Sequence, residues 1–331
     1  MANTIYRDSK IVDVLFAQAN GERVDSEVLK DAEALYAELV ADPNPMNKYM
    51  LASLVTYAVE RKLAAETDWR KYIADEKHIG DTDEAAFRVT HDGIKAFIQA
   101  AGSTTPRTRV SHKQVILDTV TVSARPAVSL LEMRSGKTKM ADLVNKAARE
   151  MANAENRYIE NVLLTAAASW KAPFYATGAG VVAATLDPMI QHWMRTGSCA
   201  IVGDIAAIQK LSPLTGFTAA TTTQFSDDII NEVNKTGRIG TYKGANVVQF
   251  VNPYETNGID TVMKQNALFV LPTAASVEDR PLKVVRKGNI INVENTDIND
   301  LTYEIRMDQM FGAGIAYGNY PEMSVYVDSS L

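Results

Sequence analysis

Ser135, Gly136, Lys137 and Thr138 reproduce the end of the loop that cradles nucleotide phosphates, where backbone N–H groups and a lysine meet the anion and a hydroxyl meets magnesium. The first glycine of that motif would have to stand where the chain has Leu131, and no turn signal lies upstream, so nucleotide binding is not expected. Gly178 and Gly180 form a lone Gly-x-Gly without the third glycine of a dinucleotide fingerprint and read as a loop. The four histidines, His78, His91, His112 and His192, show no i, i+4 pair and no neighbouring cysteine, which argues against a zinc site. Cys199, the single cysteine, stands in an apolar run with no assignable base and reads as a small buried residue. A nucleophile elbow is absent, and Glu294, Asp297 and Asp300 are spaced too loosely for a calcium loop, so they read as solvated turn residues. The residues able to do chemistry therefore assign no catalytic group, no cofactor and no metal.

The elements around them say more. Residues 138–168 keep a helical apolar period for roughly eight turns. Met140, Val144, Ala147, Met151, Ala154 and Tyr158 form the stripe, broadened by Leu143, Val162 and Leu163. Lys146, Arg149, Glu150, Glu155, Arg157 and Glu160 occupy the other face and are expected to be exposed. Thr138 can cap the start and Pro173 lies past the end. Such a helix spans ~45 Å at ~1.5 Å per residue. Its stripe lacks clean Leu or Ile at coiled-coil core positions, which favours a core helix of a large α/β domain over a coiled coil.

Ahead of it, residues 87–130 read as extended. Ile116, Val120, Val122 and Ala124 alternate with Leu117, Thr119, Thr121 and Ser123, interrupted by Asp118, and Phe87, Val89, Ile94, Ala96 and Ile98 give a second strand-like stretch. Between them, Gly102, Ser103, Thr104, Thr105, Pro106, Arg107 and Arg109 cannot build a core and read as a flexible tip. Two long strands with a polar tip predict a projecting β-arm whose apolar face needs another chain to cover it. The alternative is a short hairpin closed at Asp92 and Gly93.

With 46 % hydrophobic and 22 % charged residues, the 331-residue chain is an ordinary globular sequence large enough for two or three subdomains. A net charge of −6 argues against a dedicated nucleic-acid binder, whose footprint is a basic domain. One cysteine cannot close an intrachain disulfide. Arg7, Asp8, Lys10 and Asp13 interrupt the first turns, so no secretory signal is expected, and the longest apolar stretch, 50–59, is too short to span a bilayer. A soluble protein of a cytoplasm-like compartment is expected.

Residues 1 to about 80 look helical. Ser26 can cap a helix carrying Leu29, Ala32, Leu35, Tyr36 and Leu39; Asn44 and Pro45 start another through Leu51, Leu54, Val55 and Val59; Thr67 begins a third with Trp69 and Tyr72. A charged stretch with Asp75, Glu76, Asp81, Asp83 and Glu84 reads as a boundary. Beyond Trp170, helices are predicted at 188–194, 204–211 and 227–233, a buried strand at 200–202, and a hairpin at 238–252 turning near Gly240 and Gly244. The clearest strand alternates Leu301, Tyr303, Ile305 and Met307 against Thr302, Glu304, Arg306 and Asp308; 311–317 continues it, 323–327 closes it, and these late strands are expected to pair with the early β segment.

The order of these elements resembles the tailed-bacteriophage major capsid protein family of the Hong Kong 97 fold. The resemblance is carried over about residues 85–331 by the polar arm, Val122-Ser123-Ala124-Arg125-Pro126-Ala127-Val128 leading into the helix, Gly203-Asp204 after a buried strand, the 240–248 hairpin, and the long strands at 301–310. It implies an α+β chain with a helical N-terminal region (1–84), an extended arm (85–130), a peripheral domain with its spine helix (131–187), an axial domain (188–271) and return strands (272–331). Lys95, Pro106, Arg107, Arg109 and Lys113 would be inter-subunit arm residues, Met140, Val144, Met151 and Tyr158 the spine stripe, and Tyr242, Lys243 and Asn246 the axial hairpin near five-fold or six-fold axes. The implied function is a self-assembling shell of hexamers and pentamers enclosing double-stranded DNA, made in a host cytoplasm, with portal and scaffolding or decoration proteins as partners and no membrane. An encapsulin-like compartment with protein cargo and an unrecognised α/β enzyme are the alternatives. Residues 1–80 could be retained or be a scaffolding segment removed on maturation.

Overall fold

The computed structural model describes residues 13–14, 16–18, 24–28, 30–31, 34, 45–66, 70, 74–91, 93–99, 103–129, 131–132, 140–219, 238–250, 252–255, 258–273, 277–297 and 301–331. The helices predicted at Thr67 and at 227–233, the Thr138 cap, the 135–138 segment and residues 100–102 of the arm fall outside them.

Apolar spacing in the N-terminal half makes two helices that pack together. Helix α1 (Pro45–Glu66) begins at Pro45, which lacks only a donor that the first helical turn leaves unused. Helix α2 (Met140–Ala167) is the predicted long helix, within two residues at each end. Leu54, Val55, Ala58 and Val59 of α1 share one core with Val144, Ala147, Met151 and Leu163 of α2.

That core is closed by a five-stranded sheet in the order β1 (Ala74–Ile79), β12 (Leu282–Asp297), β13 (Thr302–Ile315), β4 (Val120–Ala124), with β5 (Ala127–Ser129) also on β13. Tyr303, Ile305, Met307 and Phe311 point inward from β13, as the alternation predicted, and Tyr158 of α2 meets Phe311 edge-on at 6.1 Å. Leu301 stands outside the strand, exposed and at φ 56°, because the chain turns there between β12 and β13.

The second sheet has seven strands, in the order β6 (Tyr175–Gly178), β14 (Ser324–Asp328), β11 (Ala267–Pro272), β7 (Cys199–Gly203), β10 (Ala245–Gln249), β9 (Arg238–Tyr242), β8 (Phe217–Ala219). Helix α3 (Ala183–Met194) covers one face through Leu186, Met189, Ile190 and Trp193. The short α4 (Ile205–Gln209) is capped by Asp204, whose carboxylate accepts the Ala206 N–H at 2.8 Å. The other face, through Val202, Phe269, Leu271 and Val325, joins the α1–α2 core.

Several expectations are corrected by this packing. The first part of the charged stretch, 74–79, is a strand parallel to β12, because its acids are neutralised inside the fold: Asp75 takes Lys283 at 3.1 Å and Glu76 faces Arg286 at 3.6 Å, while Asp81, Asp83 and Glu84 lie in the exposed turn that follows. β14 pairs with β6 and β11 in the second sheet, away from the early β segment. The strand expected around Ile94, Ala96 and Ile98 ends at His91, and 117–119 split the following strand in two. On α2, Ala154 is exposed while Glu155 and Glu160 are buried, since each carboxylate has partners in elements that the helix period cannot see.

Candidate functional site

The surface that stands apart from both cores is a ribbon of β2 (Ala86–His91) and β3 (Ser111–Ile116), paired only with each other and joined by the loop 92–110. Strand alternation anchors it: Phe87 and Val89 turn inward, and Phe87 packs with Ala85 and Val285. The Lys77 ammonium lies 4.5 Å from the centre of the Phe87 ring, a cation held against the ring face. The connection to β14 also presses on the ribbon: a Cβ at Gly318 would lie 2.2 Å from the Thr90 carbonyl oxygen. At the loop stem a Cβ at Gly93 would lie 2.6 Å from the Arg109 carbonyl oxygen, so glycine lets the stems approach.

Beyond the stem the loop exposes apolar side chains. Ile94, Phe97 and Val110 are exposed and Ile98 is fully so at 107 %. Ser103 and Thr105 donate to the Gln99 side-chain oxygen, tying the loop to itself. Lys95, Pro106, Arg107, Arg109 and Lys113 are all exposed, and none of the four cations makes an ion pair among the described residues. Covering four such apolar side chains is worth roughly 1.5–3 kcal/mol each. The arm thus offers apolar surface and positive charge together.

The other predicted groups fall elsewhere. Met140 opens α2, while Val144, Met151 and Tyr158 serve the core. Lys243 and Gly244 form the hairpin turn with φ 47° and 88°, the left-handed pair of a type I′ turn. Tyr242 is fully buried and its hydroxyl donates to Asp187 at 3.0 Å, so Lys243, also bound to Asp187, is the exposed residue at that end. Burial and the Asp187 carboxylate push the Tyr242 phenol up. Asn246 is half-buried in β10.

Around α2, buried charges fix the scaffold. Glu155 Oε2 accepts Arg70 at 2.6 Å and Arg286 at 2.7 Å, and Arg70 also donates to Asn156. Burial pushes the Arg70 guanidinium down, against the pull of Glu155. Little more than one turn further along α2, Glu160 accepts the Lys264 backbone N–H at 2.8 and 3.0 Å, and Arg157 reaches the Val262 carbonyl at 3.3 Å. Asn252 completes this joint, donating to Asp204 and Met263 and accepting the Met263 N–H.

Burial raises the Glu160 carboxyl to about 7, with the Lys264 N–H and charge opposing and Asp204 assisting. The folded state therefore holds a proton that the unfolded chain has released, and this contribution to stability fades as pH rises from about 4.5 to about 7. Glu160→Gln is expected to flatten the fall in melting temperature between about pH 5 and about pH 8. Parallel curves for the two proteins would reject this account.

Among the described residues no group of His, Cys, Asp and Glu is placed to hold a metal ion. Burial pushes the Cys199 thiol up to about 11, the environment of an inert cysteine. Gly178 and Gly180 serve the fold: the Gly180 N–H donates to Asp328 at 2.7 Å, and a Cβ at Gly178 would strike the Tyr326 hydroxyl. Sequence reading missed Arg70 and the 16-residue β12, although the alternation of Ile291 and Val293 with Asn292 and Glu294 was available as a signal.

The family model described as "SPbeta prophage-derived putative capsid protein YonB" matches residues 2–325. No curated protein matches the chain. Among solved structures, the capsid of an empty GTA particle superposes with a TM-score of 0.51 at 10 % identity, over 79 % of this chain and 89 % of that one. Mycobacterium phage Bobi gives 0.51 at 10 % identity, over 78 % and 89 %. The mature capsid of bacteriophage PhiM1 gives 0.50 at 12 % identity, over 80 % and 87 %. At these identities the likeness is one of fold.

Proposed function

Because the chain belongs to the YonB family of prophage-derived capsid proteins, we propose that it is a major capsid protein of the Hong Kong 97 fold whose copies form hexamers and pentamers and close an icosahedral shell around phage DNA. The observation that carries this is the family match over nearly the whole chain, joined to an arm whose apolar loop residues lie outside both cores. In this reading the arm, 85–130, lies across a neighbour; α2 and the five-stranded sheet form the peripheral unit; and the 188–271 region supplies the axial unit. The role is structural, and closure follows from repeating one heterologous contact about rotation axes. Lys95, Arg107 and Arg109 of the loop would meet carboxylates of the adjacent copy, portal and scaffolding or decoration proteins would complete the particle, and assembly would take place in the host cytoplasm.

Electron microscopy of the purified chain beside its size-exclusion profile tests the reading. Closed shells or hexamer and pentamer rings are expected; a uniform monomer or dimer with or without its partner proteins would reject it, and shells filled with a protein cargo would reject the DNA container. Phe97→Asp with Ile98→Asp is expected to cut particle yield at least tenfold while leaving the melting temperature of the unassembled chain within about 2 °C, because exposed positions contribute little to the fold. Unchanged particle yield would remove the arm from the contact.

A further inference from the structure

Positive charge is concentrated in the arm segment. Residues 86–117 carry Arg88, Lys95, Arg107, Arg109 and Lys113 against a single acid, Asp92, in a chain whose net charge is −6. At the base of this segment Lys77, Arg88, His112 and Lys113, with Phe87 and Gln114, line a cleft of about 390 Å³ that has no carboxylate in its wall. Lys77, Arg88 and Lys113 make no ion pair among the described residues, whereas Arg61, Arg125, Arg157, Arg306 and Lys243 are paired despite their exposure.

Directly beside the cleft in the chain, the turn between β1 and β2 exposes Asp81, Asp83 and Glu84. Asp83 is spent in part on its own turn, accepting the Gly80 N–H at 3.0 Å, and Glu84 has no ion pair among the described residues. A basic cleft next to an acidic turn is a self-complementary patch. Rotating a second copy by a half-turn sets each cleft against the other copy's turn, so that residue i meets j and j meets i, the signature of an isologous contact.

We propose that the cleft at the base of the arm receives the Asp81–Glu84 turn of a second copy, and that the receiving copy returns the same contact about a two-fold axis. This rests on the reading that the chain assembles with copies of itself, and it adds a reciprocal contact distinct from the one-way reach of the arm. Meeting twice across the axis, the charge set gives the contact orientation as well as attraction, since sliding the pair by one strand brings like charges together.

The experiment is a charge swap on the full chain, read by sedimentation and electron microscopy of particles at low and high salt. Arg88→Glu with Lys113→Glu is expected to lose particles at least tenfold, and so is Asp83→Lys with Glu84→Lys. An equimolar mixture of the two variants, and a single chain carrying all four substitutions, are each expected to recover wild-type yield, because both restore opposite charges across the axis. Circular dichroism of each unassembled variant checks folding, and the four-substitution chain keeps the test valid if one pair alone is poorly folded. Wild-type yield in either reversed variant, or loss without recovery in the mixture, would overturn the proposal. Normal particles of the Arg88→Glu, Lys113→Glu variant that retain less DNA would also overturn it, assigning the cleft to nucleic-acid phosphates. A wild-type chain that never forms particles would instead reject the capsid reading itself.

Discussion

Glu155→Ala is expected to lower the unfolding free energy by about 3–5 kcal/mol, the largest effect of any single substitution in the α2 scaffold. Glu155 is wholly buried and serves two guanidiniums at once through Oε2, Arg70 from the N-terminal side and Arg286 from β12. Removing the carboxylate leaves the wholly buried Arg70 and Arg286 facing each other without the charge they share, while Glu76 stands 3.6 Å from Arg286. A buried charge without its counter-ion cannot regain hydration, so the cost is that of desolvation and not merely of a lost contact. Urea unfolding of the unassembled chain measures it. Joint replacement of Arg70 by Met, Glu155 by Leu and Arg286 by Met is expected to recover much of the loss, because apolar side chains of similar volume avoid the desolvation cost. A loss under about 1 kcal/mol for Glu155→Ala would show that water reaches the site and that the pair behaves as a surface one.

Removal of residues 1–66 is expected to abolish folding. The notion of a detachable N-terminal scaffold conflicts with α1, whose Ala52, Leu54, Val55, Ala58, Val59 and Leu63 are buried in the same core as α2 and β12. Each buried Val or Leu side chain contributes roughly 1.5–3 kcal/mol, so losing four of them approaches the whole stability of a typical domain, about 5–15 kcal/mol. Polar bonds would be broken too: Glu60 accepts the Ile290 N–H at 2.7 Å, and Thr56 accepts from Asn292 at 3.0 Å, both on β12. Burial raises the Glu60 carboxyl against the pull of that N–H, as befits a group inside the structure. Soluble yield and circular dichroism of the truncated chain test this, and Val55→Asp is the point-substitution control with the same expected direction. If the chain is processed in particles, intact-mass measurement is expected to place the new N-terminus before Pro45. A folded chain starting at Thr67, or particles cut between 45 and 79, would contradict it.

Periodicity was enough to find α2 and the inward face of β13, since burial on one side writes a period of 3.6 or 2 into the residues that bear it, whereas α1 was found from its Asn44-Pro45 start, the 199–203 strand from a short apolar run and the 238–249 hairpin from its turn glycines. The same local record made the arm legible as a segment without a core of its own, and the exposed Ile94, Phe97 and Ile98 agree, although they lie in a loop and not in the strand their alternation suggested.

What the sequence could not determine is which charges are inside. Asp75, Glu155 and Glu160 look solvated along the chain, and each is buried because its counter-group comes from far away: Lys283, Arg70 with Arg286, and the Lys264 backbone. A charge is buried only where its partner arrives, and that is fixed by strand order and helix packing, which no local period encodes. The same holds for β14, whose residues fit either sheet; the tertiary structure decided by offering it β11 and β6 as partners. The apolar pattern by itself determined where elements run and which face turns inward, while long-range pairing alone decided the neighbours, the buried ion pairs and the cleft of unpaired cations at the base of the arm.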